Sequence, residues 1–126
     1  MFRSCLVLCA LFTAAAVHAA DTPDRVENFR LNDHAGHSWE LYRCKDAPAV
    51  VLYISGVGCP IVQKGMPGFA RLQEAYAPKG VRFFMLDANE GDAREDVAAD
   101  AKAFGINTPI LLDTAQGIAR SLGVTR

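Results

Sequence analysis

The stretch YISGVGCPIVQKGMP, residues 53–67, decides how this chain is read. It continues an apolar run that begins at Ala49, passes through a small-residue turn into a Cys-Pro pair, and ends at a second proline, Pro67. A continuous β-rich run such as residues 49–55 is the pattern of a strand covered on both faces. Pro60 suits the first turn of a helix, because the N–H it lacks would have no intrahelical partner there. A helix is therefore expected from Pro60 to about Tyr76, with Ile61, Phe69, Leu72 and Tyr76 on its inner face and with Pro78, Lys79 and Gly80 ending it.

Outward from this stretch the pattern repeats. Residues 81–88, VRFFMLDA, read as a second buried strand, residues 91–105 as an amphipathic helix closed by Gly105, and residues 108–113 as a third strand. A short helix over about 115–122 ends at Gly123. Towards the N-terminus, Phe29, Leu31, Trp39 and Leu41 alternate on either side of a polar turn containing Gly36, which predicts a hairpin with one buried face. Strands alternating with helices imply a parallel-based α/β sheet.

In such sheets function gathers at the carboxyl ends of the strands. Cys59 stands there, just past an expected central strand and at a helix start. Backbone N–H groups and the positive end of the helix dipole favour an anion at that position, which suits a reactive thiol. Gly56 and Gly58 keep the approach to the sulfur open, and Lys64, one turn along, is a candidate for adding positive charge. The competing reading makes Cys59 a small buried hydrophobe.

The N-terminus sets the redox context. Arg3 precedes the apolar run Cys5 to Val17, and Val17-His18-Ala19 has the small-residue spacing of a cleavage site, so residues 1–19 read as an export signal and residues 20–126 as one domain. The run falls short of the roughly 20 apolar residues of a membrane span, so an exported, periplasmic or secreted product with no membrane attachment after signal removal is expected. Of four cysteines, Cys5 and Cys9 leave with the signal, and Cys44 and Cys59 remain. With 13 basic and 14 acidic residues the chain has no field suited to gripping nucleic acid.

Cys59, Pro60 and Pro67, following a β-rich run, resemble the active-site strand and helix of thioredoxin-like proteins. Phe29, Leu31, Asp33, Gly36 and Leu41 resemble the N-terminal extension of the redoxin branch, the alkyl hydroperoxide reductase/thiol-specific antioxidant family. GVRFFMLDAN and TPILLDTAQGIARSLGV are similar to the middle of that fold. The resemblance covers about residues 26–126 and implies a thioredoxin-like three-layer sandwich with an N-terminal hairpin. It also implies a proline loop, a hairpin and a closing helix, which do not follow before Arg126. A sheet lacking them is expected to expose an edge and to invite self-association.

The departures from the family narrow the chemistry. A dithiol enzyme carries a second cysteine three residues after the first, and Val62 stands there; a copper carrier wants one four residues on, and Gln63 stands there. A typical peroxiredoxin places a hydroxyl residue three positions before its cysteine and a proline four before that, where this chain has Gly56 and Leu52. The reading is a one-cysteine thiol oxidoreductase: Cys59 attacks a peroxide or a disulfide, an external thiol resolves the product, Gly58, Pro60 and Lys64 support the site, and no cofactor is bound. A non-catalytic thioredoxin-like binding or redox-sensing module is the alternative.

Other residues are assigned to structure. The strand between Cys44 and Cys59 spans about 20 Å, beyond the Cα separation of about 7 Å that a disulfide tolerates, so Cys44 is expected to be a structural or loop thiol. Trp39 belongs to the hairpin core and Asp113 shapes a turn. His34 and His37 are expected in solvent, without the further ligands a zinc site requires. Asp87, Asn89, Glu90, Asp92, Glu95 and Asp96 are assigned to capping and helix-dipole roles.

Overall fold

The computed structural model describes residues 25–124; the export-signal reading of residues 1–19 lies outside them. Strands β1 (Arg30–Asn32) and β2 (Ser38–Glu40) form the expected antiparallel hairpin, with Leu31 opposite Trp39. A 3-10 turn over Leu41–Cys44 leads to β3 (Val50–Ser55), then α1 (Pro60–Tyr76). A second 3-10 turn ends α1 at Gly80, whose φ of 89° favours glycine. Strand β4 (Arg82–Asp87), helix α2 (Arg94–Ala103), strand β5 (Ile110–Leu112) and helix α3 (Gly117–Ser121) complete the described chain.

Strands β3, β4 and β5 form one parallel sheet in that spatial order. Both crossovers step in the same direction, so the right-handed rule puts α1 and α2 on one face. The strand period of two does the rest. Phe83 and Met85 join Phe69 of α1 and Val97 and Ala101 of α2 in one core, while Phe84, Leu86 and Ala88 face Ala119 of α3 and the hairpin residues Leu31 and Trp39 in the other. Helices, sheet, and hairpin with α3 make three layers, the expected thioredoxin-like sandwich. Met85 and Leu86, at 1% and 0% exposure, lie at its centre.

A buried carboxylate fastens the hairpin. Asp33 accepts hydrogen bonds from Ala35 N (2.9 Å), His37 N (2.8 Å) and Trp39 Nε1 (2.8 Å), and its second oxygen lies 3.3 Å from His37 Nδ1. Next to it, His34 N donates to Ile110 O and His34 Nδ1 accepts from Ile110 N, stitching the turn to β5. His34 is thus half-buried and engaged rather than in solvent, whereas His37 is exposed. Trp39 packs edge-on against Phe84 with ring centroids 5.0 Å apart, a core residue as expected.

Two expectations are corrected. Strand β3 is not central among the described residues: β4 holds the middle, β3 pairs only with β4, and Ile54 is 37% exposed. A fully apolar run reports burial of side chains and is silent on which edge is paired. The inner face of α1 is also different, since Ile61, Leu72 and Tyr76 are 80%, 51% and 45% exposed. Phe69, held against the rings of Tyr53 and Phe83, sets the helix phase and brings Val62 and Met66 onto the core. Gly65 lies against Tyr53 of the edge strand, so Ile61 and Leu72 on that flank look past the sheet.

Candidate active site

Ser55 ends β3, and the next four residues turn the chain over the carboxyl end of the sheet. Gly56 is buried, and a Cβ there would meet Asn89 Nδ2, so a larger residue would have to displace that side chain from Asp92. Gly58 takes φ 66°, a left-handed conformation that costs glycine least. The turn closes with Cys59 N donating to Gly56 O at 3.2 Å.

Cys59 is the N-cap residue of α1, with extended φ and ψ of −68° and 115°, and its carbonyl accepts the first helical bond from Gln63 N. Pro60 occupies N1 as expected. The Cys59 thiol is half-buried and free, at the positive end of a 17-residue helix. Pro67 lies inside α1, which runs unbroken past it. Lys64 is exposed. Val62, in the place a second cysteine would take, packs on the core beneath the turn. Cys44, also free, closes the 3-10 turn before the opposite end of β3, against an apolar cavity lined by Phe29, Trp39, Leu52 and Phe84.

Beneath the turn lies a carboxylate group assigned from sequence to capping. The N-cap of α2 is Ala93, which makes no side-chain cap bond, and only Glu95 and Asp96 sit in its first turn. Asp92 instead reaches back to the cysteine turn: its Oδ2 accepts from Val57 N at 2.9 Å and from Asn89 Nδ2 at 2.8 Å. Asp100 accepts from Gly58 N at 3.4 Å. Asp87, 3% exposed, accepts from Asn89 N at 3.0 Å. Burial pushes its carboxyl up to about 6 against that hydrogen bond, and the neighbouring Asp92 and Asp100 push the same way. Ser55, Asp87, Asp100 and Val62 line a cavity of about 10 Å3, near the lower limit for a single water, which accounts for the poor solvation.

The expected supports Gly58 and Pro60 thus adjoin Cys59, Lys64 stands apart on the exposed side, and Asn89 and Asp92, read from sequence as capping residues, lie with Asp100, not singled out there, against the cysteine turn. The available signal was Asp87 at the end of an apolar strand, with polar side chains immediately after it at the carboxyl end of the sheet. Asp113 shapes its turn as expected, accepting from Ala119 N at 2.8 Å. Among the described residues no group of three or more His, Cys, Asp or Glu side chains is arranged to hold a metal, and no helix is long and apolar enough to cross a membrane.

No curated protein matches this sequence. Solved structures do. A hypothetical protein from Sinorhizobium meliloti 1021 superposes with a TM-score of 0.72 at 27% identity, over 84% of this chain and 61% of that one. The thioredoxin domain of a thiol-disulfide oxidoreductase from Bacteroides vulgatus matches with a TM-score of 0.71 at 17% identity, over 86% and 77%. A secreted Mycobacterium tuberculosis disulfide oxidoreductase homologous to DsbE matches with a TM-score of 0.61 at 17% identity, over 74% and 66%. The chain spans about three fifths of the Sinorhizobium protein. These likenesses show a thioredoxin-like fold, and the AhpC/TSA family model matches residues 22–126, so the chain belongs to the AhpC/TSA family.

Proposed function

We propose that this protein is an exported thiol oxidoreductase that works through Cys59 alone. The observation that carries the reading is the pairing of positions 59 and 62. A free thiol stands at the N-cap position of the helix, at the carboxyl ends of the parallel strands, and the site where an internal partner would stand is filled by Val62 against the core. The solved neighbours described as disulfide oxidoreductases favour a disulfide substrate over a peroxide. The Cys59 thiolate attacks one sulfur of the disulfide, forming a mixed disulfide and releasing the other sulfur as a thiolate. An external thiol then attacks that bond, returning Cys59 and leaving as the new disulfide. With a peroxide, the O–O bond breaks, Cys59 becomes a sulfenic acid and an alcohol or water departs; two external thiols reduce it back. Gly58 and Pro60 hold the cysteine turn, no cofactor takes part, and the exposed Lys64 is left without a role in the step.

Export follows from the signal pattern of residues 1–19, and self-association from the open edge of β3, where backbone groups that pair with no described strand can meet those of a second copy. The decisive experiment is the mass of the mature protein after glutathione disulfide or hydrogen peroxide treatment. An adduct on Cys59, absent from Cys59→Ser and removed by excess thiol, is expected. A parent protein that takes no adduct at Cys59 is a non-catalytic module instead.

A further inference from the structure

The cysteine turn is held from outside its own elements. Val57 and Gly58 immediately precede Cys59, and their N–H groups point at carboxylates supplied by the segment after β4: Asp92 for Val57 and Asp100 for Gly58. The Asp92 bond is the shorter, at 2.9 Å against 3.4 Å, and spans 35 residues of sequence. Asn89 completes the clamp. Its Nδ2 donates to the same Asp92 oxygen and sits directly over Gly56, where any Cβ would collide with it. The first and second residues of the turn are therefore pinned by one polar pair from the β4–α2 connection.

We propose that Asp92, oriented by Asn89, is the positioning residue of the Cys59 turn. It fixes the backbone of Val57, and through the Gly56–Cys59 turn bond it fixes the N-cap geometry that keeps the sulfur over the start of α1. Asp92 lies beside the Asp87 carboxyl of β4, which also feels Asp100 of α2, and Asp96 and Asp100 share its cavity. A hydrogen bond from a backbone N–H to a carboxylate is stronger than one to a neutral acceptor, and this one is partly buried. The role deepens the one-cysteine reading above and rests on it for its catalytic meaning, whereas the clamp itself is measurable without it.

Asp92→Ala and Asp92→Asn separate the possibilities. The amide of Asp92→Asn keeps an oxygen that can accept from Val57 N and Asn89 Nδ2, with its NH2 turned to the Asp87 carboxylate, so it is expected to restore what alanine removes. Two readouts are taken on the intact chain with circular dichroism matched to the parent: amide hydrogen exchange at Val57, and the second-order rate of Cys59 with glutathione disulfide. In Asp92→Ala, Val57 exchange rises at least 10-fold and the Cys59 rate falls at least 5-fold; in Asp92→Asn both return to within 2-fold of the parent. Unchanged Val57 exchange in Asp92→Ala, or an Asp92→Asn variant as impaired as alanine on both readouts, overturns the proposal. If Asp92→Ala loosens Val57 while the Cys59 rate stays at the parent's value, the positioning role is overturned and only a loop clamp remains. A parent Cys59 that does not react with the disulfide at all sinks the one-cysteine reading, and with it the catalytic meaning of Asp92, while the exchange readout still reports the clamp.

Discussion

Ser55 and Asp87 stand opposite each other in the β3–β4 ladder, with a buried Ser55 hydroxyl that finds no hydrogen-bond partner among the described residues and a buried carboxyl raised to about 6. Two polar groups thus end a strand pair whose middle residues, 51–54 and 83–86, are apolar or aromatic. The cause is topological: the strand ends open under the cysteine turn, and Asp87 continues the face of Phe83 and Met85.

A raised carboxyl makes stability depend on pH. Folded Asp87 holds its proton to about pH 6, and in the unfolded chain it loses it near its ordinary 3.8. The folded state therefore binds more protons between these values, and its contribution to stability falls as pH rises from about 4 to about 6, then stays level. Asp87→Asn is expected to remove that slope and to gain roughly 1–2 kcal/mol at pH 7.5, less than the full shift because the amide is itself a buried polar group that must be desolvated. Urea unfolding at pH 4.5 and pH 7.5 measures it; an unchanged slope in the variant contradicts the assignment.

Asp33 behaves in the opposite sense. Burial alone would raise its carboxyl, but the donors Trp39 Nε1, His37 N, His37 Nδ1 and Ala35 N together hold it below its ordinary value. Its contribution is present above pH 4 and is lost as pH falls through the lowered value. In Asp33→Asn an NH2 would face the Trp39 donor, leaving that indole unsatisfied at a cost of about 1–3 kcal/mol. Trp39 is the single tryptophan, so its fluorescence during denaturation reports the hairpin directly.

Tyr53 and Gly65 fit each other with no space to spare. A Cβ on residue 65 would lie 2.0 Å from the Tyr53 hydroxyl, which donates to Val62 O at 3.4 Å and belongs to a ring stacked on Phe69 at 4.8 Å. The ring cannot swing away without breaking that stack. Gly65→Ala is expected to cost about 1–3 kcal/mol, as overpacking does. Tyr53→Phe removes the colliding oxygen, so the double variant should be more stable than the sum of the singles by about 1 kcal/mol. Strict additivity would show that residue 65 does not meet Tyr53.

Val62 tests the site from the other direction. Val62→Cys places a second thiol one turn after Cys59, in the arrangement whose thiolate attack closes a disulfide. Air oxidation is expected to remove two hydrogens from the mass and two titratable thiols, leaving Cys44 reduced. A variant that keeps all three thiols free would mean that the start of α1 is not shaped as a dithiol site.

The fold was legible because its signals are local. The run at 49–55, Pro60 at the helix start, Gly80 and Gly105 as stops, and the alternation of Leu31 with Trp39 each depend on neighbouring residues, and each element formed where it was expected. Cys59 at the head of α1 is equally local, since a strand, a glycine turn and a proline place it there. The inner face of α1 was misread because helical phase is set by the residue that meets the sheet, Phe69, and periodicity gives several faces of similar apolarity.

What the sequence by itself determined is therefore the order of elements and the position of one thiol without a partner at residue 62. The tertiary structure alone decided that β4 is central, that Ile61 and Leu72 face outward, and that Asp92 serves the cysteine turn rather than the helix it precedes. The reason is physical. Element type follows from short-range backbone preference, whereas the hydrogen bond from Val57 to Asp92 joins groups 35 residues apart, and only the parallel pairing of β3 with β4 brings their carboxyl ends together.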